Sequence, residues 1–220
     1  MAPRFASGPA GIPDAASICT PCFTPGTQIA TPFGQSPVER LSVGDKVLTR
    51  DNGAQRIAWI GKRTLAVADL KEAPELRPVT IKAGALGHGL PFRDMTLSPN
   101  HRVLIAEDGA PDSDDVTETL VSARHLVDGR GIRQSRAETV TYVHFLLDAH
   151  EVVLSDGSWT ESFEPSKPSL DGIGAARRAE ILALFPELVT EEGAEAFAPA
   201  RRVIDRDEAL SIFPLSRRPA

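Results

Sequence analysis

The chain has 220 residues, of which 41% are hydrophobic and 25% charged, and its formal net charge at pH 7 is −6. These proportions are typical of a globular protein, and the length suffices for one domain with a small appendage. The acidic balance argues against a nucleic-acid partner, because binding phosphates requires a basic face. No run of about 18 apolar residues is present, so we expect neither a membrane-spanning helix nor a membrane partner.

The chain opens with a segment, residues 1–21, that predicts a flexible leader. It is rich in Ala, Gly, Pro and Ser and has no periodicity that would build a core. Arg4 is its one basic residue and no continuous apolar stretch follows, so it does not resemble a secretory signal. We therefore expect a cytoplasmic protein or one secreted by a non-classical route.

The next segment, residues 22–164, predicts a single all-β domain. Several short apolar runs separated by turn-forming residues predict strands: 27–31, 45–50, 78–82 and 102–106. Residues 51–53 (Asp-Asn-Gly) favour a hairpin turn, since Asn and Gly tolerate positive φ. Residues 54–67 predict one long strand bent near Gly61, and residues 138–158 predict a pair of strands.

The last segment, residues 165–220, predicts a small helical extension. Asp171 is expected to cap a helix over 172–185, and a second helix is expected over 205–213. Because the segment has too few apolar residues for a core of its own, it either packs on the β domain or stays partly mobile.

The two cysteines, Cys19 and Cys22, form a C-x-x-C motif. Such a motif is compatible with a redox disulfide or with half of a zinc site. A redox motif is expected to begin a helix, but Pro25 and Gly26 follow and break one. A zinc site needs two more ligands, and no pair of histidines has a suitable spacing near another cysteine. We expect neither a metal nor a cofactor.

Cys22 is a candidate nucleophile because it stands at the start of the predicted β domain. Its Sγ can attack the carbonyl of Pro21 through a five-membered ring and convert the amide into a thioester. The fold must hold these reactants in place and supply a proton to the departing amine. The alternative is a buried structural cysteine, as free cysteines often are.

Four other side chains are candidates for acid–base work. Ser98 and His101 lie three residues apart on one predicted turn, where the imidazole can protonate an amide and the hydroxyl can polarise it. His144 and His150 are an even number apart, so one of them can supply a second acid or base. The alternatives are a surface turn with an incidental histidine and two half-buried strand histidines.

Taken in order, these motifs resemble those of Hint (hedgehog/intein) domains. Cys-Phe-x-x-Gly-Thr-x-Ile from Cys22, followed by Val-Glu-x-Leu-x-Val-Gly-Asp-x-Val-Leu over 38–48, is similar to their opening. Residues 98–101 resemble their second block, usually Thr-x-x-His. Residues 142–153 resemble their late block, a tyrosine followed eight residues on by a histidine.

The likeness spans roughly residues 19–164 and is greatest to a bacterial subset that closes with a sequence like 157–163. Inteins often carry an aspartate directly after the late-block tyrosine, where this chain has Val143, and the neighbouring His144 is an alternative. Inteins also end in His-Asn, whose asparagine cyclises, and residues 158–162 contain no such asparagine. The resemblance therefore implies a Hint fold without asparagine-driven splicing.

The resemblance also implies roles. Cys22 is expected to be the nucleophile of an N-to-S acyl shift, with His101 assisting, Ser98 in support and His150 matching the late-block histidine. The chain is thus expected to be a single-turnover autoprotease whose substrate is its own N-terminal segment. Water, a small nucleophile or the Cys19 thiol would resolve the thioester.

A second hypothesis is a catalytically silent binding or adaptor module that keeps the same fold. Val143 in place of an aspartate, the missing terminal asparagine and the short leader favour this alternative. On either hypothesis we expect a monomer.

Overall fold

The computed structural model describes residues 20–108 and 116–212. Cys19 and most of the predicted leader lie outside the described residues, so the C-x-x-C hypotheses and the role of Cys19 stay predictions. Thr20 and Pro21, the last two residues of that leader, are buried.

The described residues are built mainly of short strands. In chain order these are β1 Gln28–Thr31, β2 Gly34–Pro37, β3 Lys46–Leu48, β4 Ala54–Arg56, β5 Trp59–Leu65, β6 Val79–Ile81, β7 Met95–Leu97, β8 Arg102–Asp108, β9 Val116–Ser122, β10 Ile132–Gln134, β11 Val140–Leu146, β12 Val152–Ser155, β13 Ser158–Glu161 and β14 Arg202–Ile204. The largest sheet has the order β14-β9-β8-β13-β12-β1-β2, and smaller sheets have the orders β10-β6-β7, β11-β5 and β3-β4.

The helices are short and most of them follow the strands. They are α1 Val67–Glu72, α2 Lys167–Gly172, α3 Ala175–Leu184, α4 Glu191–Glu195 and α5 Arg206–Ile212, with 3-10 turns at 38–40, 74–76, 123–126 and 186–189. Among the described residues, no helix is both long and apolar enough to cross a membrane.

The predicted strand over 54–67 is divided between two sheets. β4 pairs with β3, whereas β5 pairs with β11. Between them Ile57 is buried and its N–H donates to the carbonyl of Asp45. Pairing with β11 runs without interruption through Gly61, where a bend was expected. A Cβ at Gly61 would lie 2.4 Å from the Trp59 ring, so the glycine is needed for close packing instead.

The predicted helix over 172–185 is also interrupted. Gly174 has a φ of 89° and separates α2 from α3. Asp171 lies inside α2 and forms ion pairs with Lys167 and Arg178, so its predicted capping role is wrong. The helix predicted over 205–213 is found as α5.

The segment after residue 164 packs on the β domain. β14 adds in parallel to β9 at the edge of the largest sheet. A buried apolar cluster joins three residues of the β domain to five of this segment: Trp59, Leu146 and Phe163 with Leu170, Ile173, Ile181, Leu188 and Phe197. Ile173 of this cluster also lines a small cavity that contains Cys22.

Candidate active site around Cys22

Backbone pairing holds Cys22 on both sides. Its carbonyl accepts the N–H of Ser98 at 2.9 Å, just beyond β7. The next residue, Phe23, exchanges two backbone hydrogen bonds with Val143 of β11, at 2.7 and 2.9 Å. Cys22 is only 4% exposed, so its thiol is fixed inside the fold between the two predicted histidine-bearing segments.

The Ser98 hydroxyl bridges the backbone on either side of Pro21. Its Oγ accepts the N–H of Cys22 at 2.9 Å and donates to the carbonyl of Thr20 at 2.9 Å. The bonded amide is the one between Pro21 and Cys22, so a hydroxyl lies on the nitrogen that an acyl shift would release.

The nearest imidazole to the thiol is that of His144. The Sγ of Cys22 lies 3.3 Å from Nδ1 of His144 and 3.3 Å from the Thr20 carbonyl oxygen. A thiol has one hydrogen, so it donates to one of these two acceptors at a time. The imidazole stacks on Trp59 at 5.3 Å between ring centroids and packs beside Phe163.

Burial keeps this pair uncharged. Burial raises the pKa of the Cys22 thiol well above its ordinary value. The Ser98 hydroxyl and the Arg63 guanidinium lower this pKa, but they offset the effect of burial only in part. Burial lowers the pKa of His144 to about 3, with Arg177 and Arg63 acting in the same direction. Near neutral pH the resting site therefore holds a protonated thiol beside a neutral imidazole.

His101 lies beside the same backbone but makes a different contact from the one we expected. Its ring packs edge-on against Phe23, 4.4 Å between centroids. Burial lowers its pKa to about 4, and the Glu161 carboxylate and the nearby Cys22 carbonyl oppose this. That carbonyl is not in hydrogen-bonding geometry, because both ring nitrogens lack a partner among the described residues. The amide N–H of Cys22 goes to Ser98 instead.

His150 is engaged elsewhere. Its Nδ1 accepts the N–H of Ala200 at 2.9 Å. Nε2 therefore carries the proton of the neutral ring and donates to Glu161, at 3.1 Å. In the described part of the chain, no hydrogen bond joins His150 to Cys22, Ser98 or His144.

The residues that could hold a metal ion form an ion-pair network. Ligand atoms of His150, Glu161 and Glu164 lie within 4.8 Å of one another. However, the Arg102 guanidinium contacts both carboxylates, at 3.1 and 2.6 Å. The His150 nitrogen that faces Glu161 is the protonated one, so no lone pair there is free for a metal.

The sequence of this fold matches a known family over most of its length. Residues 21–167 match the family model described as the Hint domain. The chain belongs to the Hint domain family. This match confirms the family prediction and the all-β Hint fold, whereas the subset without a terminal His-Asn stays a prediction.

Solved structures similar to this Hint domain include a bacterial intein-like domain from Clostridium thermocellum, at 16% identity and a TM-score of 0.40, covering 63% of this chain and 96% of that one. The MchDnaB-1 intein is 11% identical with a TM-score of 0.41, covering 64% of this chain and 98% of its own. No curated protein sequence is significantly similar to the chain.

Two features of the site in this Hint domain were not predicted, namely Arg63 and the contribution of the segment after residue 164. A small cavity of about 20 Å³ beside Cys22 is lined by Arg63, Tyr142 and His144, and also by Gly172 and Ile173. Arg63 donates to the carbonyl of Gly172 at 2.8 Å. No local motif marks these residues, because their proximity comes from pairing of β5 with β11 and from packing of α2.

Proposed function

We propose that this Hint domain cleaves its own backbone between Pro21 and Cys22. The Cys22 sulfur attacks the carbonyl carbon of Pro21, a C–S bond forms and the C–N bond breaks. The thiol hydrogen is replaced by the acyl group, and one proton passes to the released nitrogen. The step is an isomerisation from amide to thioester, and it needs no outside reactant.

The observation that carries the proposal is the convergence of two side chains on Cys22. Nδ1 of His144 lies 3.3 Å from the sulfur, and Oγ of Ser98 lies 2.9 Å from the scissile nitrogen. Nδ1 would take the thiol proton, while Ser98 would hold the amide in place and pass a proton to it. His101 stays a candidate donor to the departing amine, since it is buried without a hydrogen-bond partner among the described residues.

The neutral state of the Cys22 thiol and the His144 imidazole determines when the proton is transferred relative to the attack. Burial disfavours a thiolate and an imidazolium alike, so proton transfer to His144 accompanies the attack rather than preceding it. Arg63 lines the cavity that contains Cys22. Its fixed positive charge would stabilise the negative charge that develops during the attack.

Water or an external nucleophile would then resolve the thioester. The asparagine that inteins cyclise has no counterpart in residues 158–162. We therefore propose cleavage without splicing, on the chain's own N-terminal segment and within a monomer.

Mass spectrometry of the purified chain incubated with hydroxylamine tests this function. Hydroxylamine traps a thioester, so we expect residues 1–21 to be released as the hydroxamate, at a fractional rate that does not depend on protein concentration. Cys22→Ala is expected to remain intact. A wild-type chain as intact as Cys22→Ala under all conditions would overturn the proposal.

That negative result would favour the catalytically silent binding module. The specific observation on its side is the burial of Cys22, which raises the pKa of the thiol and limits its reactivity.

A further inference from the structure

A second, larger cavity adjoins the one that contains Cys22. Its volume is about 360 Å³, within the range of sites for small organic ligands. The two cavities share four lining residues, Thr20, Leu76, Ser98 and Pro99. The larger one, called here the acceptor cavity, therefore reaches the residue that contacts the scissile amide.

The charged residues that line the acceptor cavity are exposed and are called here its rim, whereas its apolar lining residues are buried or half-buried. Leu76, Val79 and Val127 supply the apolar lining. Arg124 and Arg206 contribute two guanidiniums, and both residues are exposed.

Neither guanidinium is neutralised in the structure. Within residues 20–108 and 116–212, no carboxylate lies within 4.0 Å of Arg124 or Arg206. Arg124 donates to His125 instead. Two unneutralised guanidiniums on one rim are the donor set that binds a carboxylate, because each offers a planar pair of N–H groups.

Side chains that suit an amine also line this cavity. Asn100 follows Ser98 by two residues in the same turn, and its amide can accept an N–H. Glu75 adds a carboxylate that attracts an ammonium group. The lining thus offers sites for both ends of a molecule that carries an amine and a carboxylate.

We propose that the acceptor cavity binds a small amine that bears a carboxylate, such as a free amino acid, as the nucleophile that resolves the thioester. This inference rests on the proposed function. The amine nitrogen attacks the thioester carbonyl, the C–S bond breaks, and the Cys22 sulfur recovers the proton that the amine loses. The products are residues 1–21 joined by an amide to the acceptor, and the free thiol.

Glycine and glycinamide test the proposal because they differ in the carboxylate, which also makes the glycine amine the more basic of the two. The ratio of their rates on the chain is therefore compared with the ratio measured on a model peptide thioester. The full chain is incubated with each at equal concentrations of free-base amine, and the released peptides are weighed. We expect the ratio of the glycine rate to the glycinamide rate to exceed the ratio on the model thioester about tenfold, since charge-assisted hydrogen bonds strengthen the binding of glycine. The preference should weaken at high salt, because the rim is exposed.

Two variants test whether the preference for glycine over glycinamide comes from the arginines of the rim. In the double variant Arg124→Gln, Arg206→Gln the ratio of the two rates is expected to fall toward that of the model thioester. Arg136→Gln is the matched control, since this exposed arginine does not line the acceptor cavity, and it should keep the wild-type ratio.

A hydroxylamine arm with the wild-type chain separates the two proposals. Release by hydroxylamine with a glycine-to-glycinamide ratio no higher than that of the model thioester, or with hydrolysis alone in the presence of glycine, would overturn the acceptor site and leave autoprocessing standing. Absence of release by hydroxylamine would overturn both.

Discussion

The imidazole of His144 is positioned by packing more than by hydrogen bonds. It stacks on Trp59 and packs beside Phe163, while its Nε2 is buried without a hydrogen-bond partner among the described residues. Within the described part of the chain, its one polar contact is with the Cys22 sulfur. A side chain held this way keeps Nδ1 directed at the thiol, for which the Thr20 carbonyl oxygen is the alternative acceptor.

Replacing His144 should therefore impair thioester formation. We expect His144→Asn and His144→Phe to slow hydroxylamine-induced release by about 10²- to 10⁴-fold, the usual contribution of a positioned acid or base. The time course of release by mass spectrometry measures this effect. His88→Asn is the control, because His88 is exposed at a φ of 53°, which asparagine tolerates. Unchanged rates in both His144 variants would remove the residue from the mechanism.

The sequence predicted part of this site. The spacing of Ser98 and His101 predicted a polar turn, and the turn does bring Ser98 to the amide of Cys22. The relative importance of His144 and His150 was not predictable from an even spacing. The structure places one beside the thiol and the other against Glu161, because β11 ends between them.

At the scale of the elements, β5 carries much of the support for the site. Trp59 begins the strand and stacks on His144, Gly61 lies opposite His144 in the register, and Arg63 lines the Cys22 cavity. Alternate residues of one strand therefore face the same side chain pair. A strand placed this way links the geometry of the site to the packing of the core.

Gly61→Ala tests that link. The added methyl would lie 2.4 Å from the Trp59 ring, so the ring must move. We expect a loss of about 1–3 kcal/mol in the free energy of unfolding, the usual cost of overpacking, together with slower cleavage as His144 shifts. Urea denaturation and hydroxylamine release measure the two effects. Thr64→Ala, on the exposed part of β5, should change both only slightly, and equal behaviour of the two variants would contradict the packing argument.

The positions of the strands were more predictable from the sequence than the pairing between strands. Apolar runs indicated β1, β6 and β8 at nearly their observed positions. The division of 54–67 was not predictable, because it depends on β3 and β11 lying on different sides of Ile57. The break at Gly174 was not predicted, because a glycine can also lie within a continuous helix. Only the packing of α2 shows that the helix is interrupted at this glycine.

At the scale of the whole molecule, buried neutral histidines make stability depend on pH. The pKa values of His101 and His144, about 4 and about 3, lie below the ordinary value of about 6.5. Between pH 6.5 and those values, the unfolded chain binds more protons than the folded one. Their contribution to stability is therefore complete above about pH 6.5 and is lost as the pH falls toward 4 and then 3.

We expect the free energy of unfolding to fall by up to about 3 kcal/mol between pH 7 and pH 4 on account of His101 alone. Urea denaturation at a series of pH values gives this dependence. His101→Gln cannot be protonated and should flatten the slope, whereas His88→Asn should keep it. A slope that is the same in wild type and His101→Gln would show that the imidazole titrates normally in the fold.

The apolar cluster that joins Trp59 and Phe163 to α2, α3 and Phe197 sets a practical boundary for engineering. A ligation tool cut from residues 21–167 would expose Trp59 and Phe163 to water. It would also leave Nδ1 of His150 without the Ala200 amide. Such a fragment is expected to aggregate, or to hold the His144 ring less firmly. A useful ligation domain therefore has to include the residues through β14 and α5.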